Sequence, residues 1–184
     1  ISKKTNSKNE VMLIYNENLS VSPVTTHIPI KKVNKYVNKK KIINNEFKIN
    51  YFFNKNFKKK PKFAVLGLNP HCETTDKTSE EKIKIVPAIK YLKSKKINIK
   101  GPFSADTFFS NENIDKYDVV IGMYHDQVLI PIKTLFKFNA INVTVGLPFI
   151  RVTPDHGPNY EMLGKNKSDT SSLFYATDFF NKIS

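Results

Sequence analysis

The chain has 184 residues, 40% of them hydrophobic, which suffices for one ordinary core and argues against a chain disordered throughout. Its formal net charge of +14 comes from lysine, since Arg151 is the single arginine. One cysteine excludes an internal disulfide framework, and no apolar run reaches the roughly 18 residues of a membrane helix. We therefore expect a cytoplasmic protein with no membrane partner.

The positive charge is concentrated in one segment. Residues 31–62 hold 12 lysines and one acid, Glu46, a net charge of +11 in 32 residues. A solvated, lysine-rich surface is the favoured interpretation. A nucleic-acid-binding surface is less favoured, because such surfaces use arginine forks and known aromatic motifs that this chain lacks. The i+4 spacing of two apolar series predicts the buried side of a helix. These series are Ile43, Phe47 and Tyr51, and Ile49, Phe53 and Phe57.

The remaining pattern alternates strands with helices. In chain order it predicts strands at Val11–Tyr15 and Ser20–Val24, then the basic helical region at about Val33–Phe57 and a strand at Phe63–Leu68. A helix is predicted from a Thr78–Glu81 capping box to about Lys96, followed by a break at Gly101-Pro102. The rest of the chain is predicted to hold a strand at Asp118–Met123, a helix at Val128–Phe136, a strand at Ile141–Val145 and a last helix from Thr170 or Ser171. This order indicates an α/β fold with a largely parallel sheet.

Three of the four histidines follow predicted strands. His27, His71 and His125 each stand a few residues past the carboxyl end of a strand, where ligands of open α/β sheets bind. They could converge on one divalent metal, or each could be a hydrogen-bonded structural residue. Asp106 and Asp126 lie in neighbouring loops, and either could be a further ligand, a general acid or base, or a turn residue.

The segment Arg151–Pro158 is predicted to be a rigid loop. Arg151 can bind a carboxylate or phosphate through two parallel hydrogen bonds, and Gly157 lets the backbone approach a ligand. The alternative is a surface turn with an ion pair between Arg151 and Asp155. Lys133 could add a positive charge. The sequence holds no glycine-rich dinucleotide fingerprint and no Walker motif, so motif analysis does not establish a nucleotide cofactor.

Five motifs together resemble the 4-hydroxythreonine-4-phosphate dehydrogenase (PdxA) family. They are Val65–His71, Gly101–Thr107, Met123–Gln127, Asn142–Arg151 and Asp155–Gly157. They follow the order and spacing of that family over nearly the whole chain. The resemblance implies a three-layer α/β/α fold like that of isocitrate and isopropylmalate dehydrogenases. It also implies a homodimer whose metal ligands are shared between subunits.

The same resemblance implies a set of site residues. His27, His71 and His125 hold a divalent metal (Zn, Mg or Co); Lys133, Asn142 and Arg151 contact a small phosphorylated substrate; Asp106 and Lys133 act in catalysis; and Asp155, His156 and Gly157 hold NAD or NADP. The implied reaction is oxidation and decarboxylation of 4-phosphohydroxy-L-threonine to 3-amino-2-oxopropyl phosphate in pyridoxine biosynthesis.

The resemblance makes residues 1–184 the C-terminal portion of such a dehydrogenase, with the N-terminal part missing. That part carries a His-Thr pair for the phosphate end of the substrate, so we expect this portion to be incomplete as a catalyst. Cys72–Thr78 replaces a glycine-rich run of the family, and Pro158-Asn159 replaces Thr-Ala. One alternative is the same fold acting on threonate or erythronate 4-phosphate. Another is a non-catalytic remnant that binds nucleic acid.

Overall fold

A computed structural model describes residues 5, 7, 10–73, 75–110, 114–155 and 160–183. The strands in this part of the chain are β1 (Val11–Tyr15), β2 (Ser20–Thr25), β3 (Phe63–Leu66), β4 (Ile99–Phe103), β5 (Val119–Tyr124), β6 (Ile141–Val145) and β7 (Arg151–Pro154). The α-helices are α1 (Val33–Tyr36), α2 (Lys39–Phe57), α3 (Val86–Ser94), α4 (Ala105–Phe108), α5 (His125–Phe136) and α6 (Ser171–Lys182). None of these helices is long and apolar enough to cross a membrane.

The strands form one mixed sheet in the order β4-β3-β5-β2-β1-β6-β7. β4, β3, β5 and β2 are parallel, whereas β1 is antiparallel to both β2 and β6, and β7 is antiparallel to β6. The predicted α/β class is therefore confirmed, but the sheet is only half parallel. Four residues join β1 to β2, and so short a connection permits only an antiparallel pair.

Helices cover both faces of the sheet, which gives the chain two hydrophobic cores. On one face α2, α3 and α6 pack against side chains such as Leu13, Val65 and Val143. On the other face α5 packs against Ile14, Val21 and neighbouring residues. This layering agrees with the three-layer arrangement that the family resemblance implies.

Both edge strands differ from the sequence prediction. β4 contains Gly101-Pro102, which was expected to break the chain, and Arg151–Pro154 forms β7 instead of a loop. A proline lacks an N–H, and an edge strand tolerates that loss readily because one of its sides has no neighbour. β4 and β7 hold those two edges of the sheet.

The buried face of α2 is only partly the predicted one. Ile49 and Phe53 are buried and Phe57 is half-buried, as expected. Phe47 and Tyr51 are instead 36% and 66% exposed. The prediction for the first series is wrong at Phe47 and Tyr51, because the stripe that faces the sheet runs through Ile42, Glu46, Ile49 and Phe53.

Candidate active site at the carboxyl edge of the sheet

Three parallel strands end at one edge of the sheet. β2 ends at Thr25, β5 at Tyr124 and β3 at Leu66, and one of the three predicted histidines follows each end. In α/β proteins the loops after parallel strands surround a ligand site at this edge. The sheet thus places these histidines, which come from three distant parts of the sequence, at one edge.

His27 and His125 lie side by side. Their ring centroids are 5.5 Å apart, with 44° between the ring planes. The Thr25 hydroxyl donates a 2.7 Å hydrogen bond to the carbonyl of Met123, which ties the end of β2 to the end of β5. Both histidines border a pocket of about 270 Å³ that is also lined by Tyr124. Two imidazoles from separate loops therefore share one open space.

A carboxylate orients the His125 ring. His125 Nδ1 and Asp126 Oδ1 are 2.7 Å apart. If Nδ1 carries the proton and donates it to Asp126, the lone pair of Nε2 is left to accept a ligand. A carboxylate on the second ring nitrogen is the usual arrangement for a metal-binding histidine. The sequence left Asp126 open as a ligand, a general acid or base, or a turn residue, and this contact indicates a different role, the orientation of His125.

His71 stands apart from the other two and faces Asp106. Its Nδ1 is 3.5 Å from Asp106 Oδ2, and both side chains are largely exposed. A 2.6 Å hydrogen bond from Ser104 Oγ lowers the pKa of Asp106 below its ordinary value, with a smaller contribution from the charge of His71. Asp106 is therefore a carboxylate at neutral pH, able to accept a proton beside His71.

The half-buried Gln127 and the buried Glu81 anchor the loops that carry the histidines, and the sequence indicated neither role. Gln127 donates from Nε2 to the Gly67 carbonyl at 2.8 Å and accepts from the Met123 backbone N–H at 2.7 Å, so it links the ends of β3 and β5. Glu81, predicted to close a capping box with Thr78, instead accepts hydrogen bonds from the backbone of Leu68 and Asn69. The capping box prediction is therefore wrong.

An open face of β1, β6 and β7 adjoins the histidines. Register pairs Thr144 with Arg151 and Asn142 with Thr153, and all four side chains point to the side of the sheet covered by α5. Arg151 Nη1 donates a 3.0 Å hydrogen bond to Thr144 Oγ1. A pocket of about 250 Å³ is lined by His27, Asn142 and Thr144. The structure thus places the predicted substrate residue Asn142 in one cavity with a predicted metal ligand.

Lys133 and Asp155 pair with each other. Lys133 Nζ is 3.2 Å from Asp155 Oδ2, and the Asp155 backbone N–H donates to Ser172 Oγ at 3.0 Å. Asp155 follows the end of β7, about 13 Å along the direction of that strand from Arg151. The predicted substrate lysine is therefore held by a predicted cofactor residue. The ion pair that the alternative expected between Arg151 and Asp155 does not form: Arg151 bonds to Thr144 and Asp155 to Lys133.

One chain brings only part of the predicted metal-binding set together. The described residues contain no group of three His, Cys, Asp or Glu side chains close enough to hold a metal ion. His27 and His125 fit as two imidazole ligands, but His71 is engaged with Asp106 instead. A single chain thus offers two of the three predicted ligands together. His156 and Gly157, predicted to hold the nicotinamide cofactor, lie outside the described residues.

Comparison with known proteins identifies the family. The family model for "Pyridoxal phosphate biosynthetic protein PdxA" matches residues 1–179. The chain belongs to the PdxA family. A 4-hydroxythreonine-4-phosphate dehydrogenase of Sulfurihydrogenibium is 42% identical over 97% of this chain and 55% of its own length. This chain thus spans about half the length of such PdxA relatives.

Two further comparisons extend the family assignment. The solved 4-hydroxythreonine-4-phosphate dehydrogenase of Klebsiella pneumoniae superposes with a TM-score of 0.80 at 31% identity, covering 96% of this chain and 55% of that one. A D-threonate 4-phosphate dehydrogenase of Pectobacterium atrosepticum is 34% identical over 94% of this chain and 53% of its own length. PdxA-family relatives therefore include enzymes named for two different phosphorylated substrates.

Proposed function

We propose that this chain forms part of a dehydrogenase that oxidises and decarboxylates 4-phosphohydroxy-L-threonine, using NAD or NADP and a divalent metal. One observation of the structure supports this most directly. His27 and His125 lie together at the carboxyl edge, and His27 shares a cavity with Asn142 and Thr144. Such a site offers imidazoles for a cation beside polar groups for a hydroxylated, charged substrate.

In this proposal the metal site is shared between two copies of the chain. His27 and His125 would hold the cation from one copy, and His71 from the other, because His71 is not grouped with them within one chain. When bound, the cation supplies Lewis acidity toward the substrate hydroxyl, and the nicotinamide accepts the hydride. Asp126 keeps the His125 ring oriented for this task.

The remaining site residues bind a charged group of the substrate, accept a proton or stabilise a developing negative charge. Arg151, held by Thr144 at the start of β7, binds an anionic group of the substrate through its guanidinium fork. Asp106 is ionised at neutral pH and accepts the proton released when the hydroxyl is oxidised. Lys133, oriented by Asp155, places a positive charge where the negative charge left by loss of CO₂ develops.

The test is turnover by the protein in the longest form that its gene encodes. We expect reduced nicotinamide and CO₂ to form in equal amounts from 4-phosphohydroxy-L-threonine, and turnover to stop when a chelator removes the metal. No turnover with any phosphorylated hydroxy acid would overturn the enzymatic assignment. Tight binding to DNA or RNA at physiological salt in such an inactive protein would favour the nucleic-acid-binding alternative for residues 31–62.

A second substrate is supported by one relative. The Pectobacterium protein that is 34% identical to this chain is named a D-threonate 4-phosphate dehydrogenase. That substrate carries a hydroxyl where 4-phosphohydroxy-L-threonine carries an amino group. The ratio of kcat/KM for the two substrates decides between them, and a clear preference for the sugar acid would replace the pyridoxine assignment.

A further inference from the structure

We infer that Glu81 is a positioning residue of the site, and that its buried carboxylate holds the loop from Leu68 to His71 in the shape that presents His71 at the carboxyl edge. The inference rests on the proposed function in treating His71 as a metal ligand. Glu81 itself lies outside the five motifs that carry the family resemblance. The contacts of its two carboxylate oxygens indicate the positioning role.

Both oxygens of Glu81 are used by the loop. Oε1 accepts hydrogen bonds from the backbone N–H groups of Leu68 at 2.7 Å and Asn69 at 2.8 Å. Oε2 accepts a 2.8 Å hydrogen bond from the Asn69 side-chain amide. Hydrogen bonds to an ionised acceptor are about twice as strong as neutral ones. Three of them converge on a two-residue stretch that leads directly into Pro70 and His71.

Glu81 is fully buried, with 0% of its surface exposed. A buried carboxylate is costly unless donors surround it, and the described residues show no ion pair between Glu81 and a lysine or arginine. The N–H groups of the loop are therefore what compensates its charge. The dependence is mutual, because without the carboxylate these N–H groups would lose their acceptor.

The helix start is built to turn Glu81 inward. Residues Glu81–Ile85 form a π-helical turn ahead of α3, and such wide turns are frequent at functional sites. The space beside the carboxylate is also shaped for it. A Cβ atom added at Gly67 would lie 3.0 Å from Glu81 Oε1 and 2.7 Å from the Cys72 sulfur. Glycine at the end of β3 therefore lets the strand approach the carboxylate.

The loop needs an external anchor because its backbone is strained. His71 and Cys72 have φ values of 54° and 55°, in the left-handed region that non-glycine residues rarely occupy. Two consecutive residues persist there only when their surroundings fix them. Glu81 supplies that fixation immediately before the strained pair, and the result is the approach of His71 to Asp106.

The first test is amide hydrogen exchange of the whole chain, comparing Glu81→Ala with the wild type. We expect the Leu68 and Asn69 amides to exchange at least about tenfold faster, equivalent to about 1.4 kcal/mol of lost protection, with the core strands β3 and β5 unchanged. Glu80→Ala is the matched control. Glu80 contacts only the Asn69 side chain in this loop, at 3.0 Å, so both backbone hydrogen bonds remain. Equal exchange in wild type and Glu81→Ala would overturn the inference.

The second test measures whether the anchoring serves His71, with Co²⁺ alone as the probe. We expect Glu81→Ala to weaken Co²⁺ binding at least about tenfold, in the same direction as His71→Ala, while Glu80→Ala binds as wild type does. Glu81→Gln should fall between, because its amide oxygen still accepts from the backbone while its NH₂ opposes that of Asn69.

These outcomes distinguish the positioning role of Glu81 from the metal site of the proposed function. Unchanged Co²⁺ affinity in Glu81→Ala, when His71→Ala weakens it, overturns the positioning role. Absence of Co²⁺ binding by the wild type in its dimeric form counts against the metal site of the proposed function. In that case the exchange of the Leu68 and Asn69 amides still decides whether Glu81 holds the loop.

Discussion

Arg151 occupies the first position of β7, where its guanidinium donates to the Thr144 hydroxyl at 3.0 Å. Among the described residues only Thr144 hydrogen-bonds to the guanidinium, and only through Nη1, so its other donors can bind an anionic ligand. The predicted rigid loop did not specify the direction of the Arg151 side chain. Strand pairing does, since Arg151 lies opposite Thr144 in the register of β6 and β7.

In the longest form of the protein that its gene encodes, Arg151→Lys should raise the KM for the proposed substrate, 4-phosphohydroxy-L-threonine, about tenfold or more, the effect of losing about 1.4 kcal/mol of binding. The lysine keeps the charge but loses the planar fork. Steady-state kinetics measure the change. Thr144→Val serves as the comparison, because it keeps the arginine and removes only its hydroxyl partner, so its effect should be smaller. A KM within about twofold of wild type in Arg151→Lys would make Arg151 a structural residue.

Side chains of the site differ in how far the sequence could predict them. The three histidines were predictable because a strand pattern followed by a loop fixes which edge of a parallel sheet a residue occupies. The role of Glu81 was not predictable, because Thr-Ser-Glu-Glu has the spacing of a capping box. The π-helical turn points the Glu81 side chain inward, where its carboxylate accepts from the N–H groups of Leu68 and Asn69. Neither feature leaves a signal in local sequence.

At the scale of elements, α2 carries an unusual feature in its buried stripe. Glu46 lies between Ile42 and Ile49 on the face that packs against the sheet and is 0% exposed. Neither of its carboxylate oxygens has a hydrogen-bond partner within the described part of the chain. Burial raises the pKa of Glu46 well above its ordinary value of 4.5. The single acid of the lysine-rich segment therefore faces the core and does not offset the surface charge.

The raised pKa of Glu46 predicts a pH-dependent stability. In the unfolded chain Glu46 ionises near pH 4.5, whereas in the folded chain it stays protonated to a higher pH. Its unfavourable contribution is therefore absent below pH 4.5, grows as pH rises from there to the folded pKa, and is constant above it. Over that window the wild type should lose about 1.4 kcal/mol of stability per pH unit relative to Glu46→Gln.

Denaturant unfolding of wild type and Glu46→Gln from about pH 4 to pH 8 measures this difference. Glu161→Gln, at an exposed position, is the control and should give a curve parallel to that of wild type. A constant difference between wild type and Glu46→Gln across the whole range would show that Glu46 has an ordinary pKa in the folded chain. Water or another polar group would then hydrogen-bond to the Glu46 carboxylate in the folded chain.

Edge elements were the least predictable part of the fold. The five central strands were located from the sequence within one or two residues, because their apolar residues form strand-length runs or recur at alternate positions. β4 and β7 carry Gly-Pro and Thr-Pro dipeptides that favour turns, and their strand conformation depends on pairing with β3 and β6. The site is affected directly, because β7 positions Arg151 and leads to Asp155.

At the scale of the whole molecule, the sheet divides the predicted metal ligands into a pair and a single residue. His27 and His125 are adjacent, whereas His71, in the loop after β3, faces Asp106 of α4. If two copies of the chain form the site together, the pair from one copy meets His71 from the other. Each copy then depends on its partner for one ligand, and a symmetric dimer holds two equivalent sites.

This arrangement predicts complementation between two inactive variants of the full-length protein. His71→Ala and His125→Ala should each bind Co²⁺ poorly when pure. In a hybrid dimer, the His71→Ala chain supplies His27 and His125, and the His125→Ala chain supplies His71, so one of the two sites is intact. After random subunit exchange about half of the dimers are hybrids, and about one quarter of the wild-type Co²⁺ should be retained after desalting.

The matched control is a mixture of His27→Ala with His125→Ala. Both changes fall in the adjacent pair that one chain supplies, so no hybrid of these two variants contains an intact site. Co²⁺ retention by the first mixture and not by the second would be explained only by a site built from His27 and His125 of one copy and His71 of another. If exchanged hybrids of the first mixture retain no more Co²⁺ than the pure variants, the three histidines do not form a shared site, and the metal of the proposed reaction must be held elsewhere.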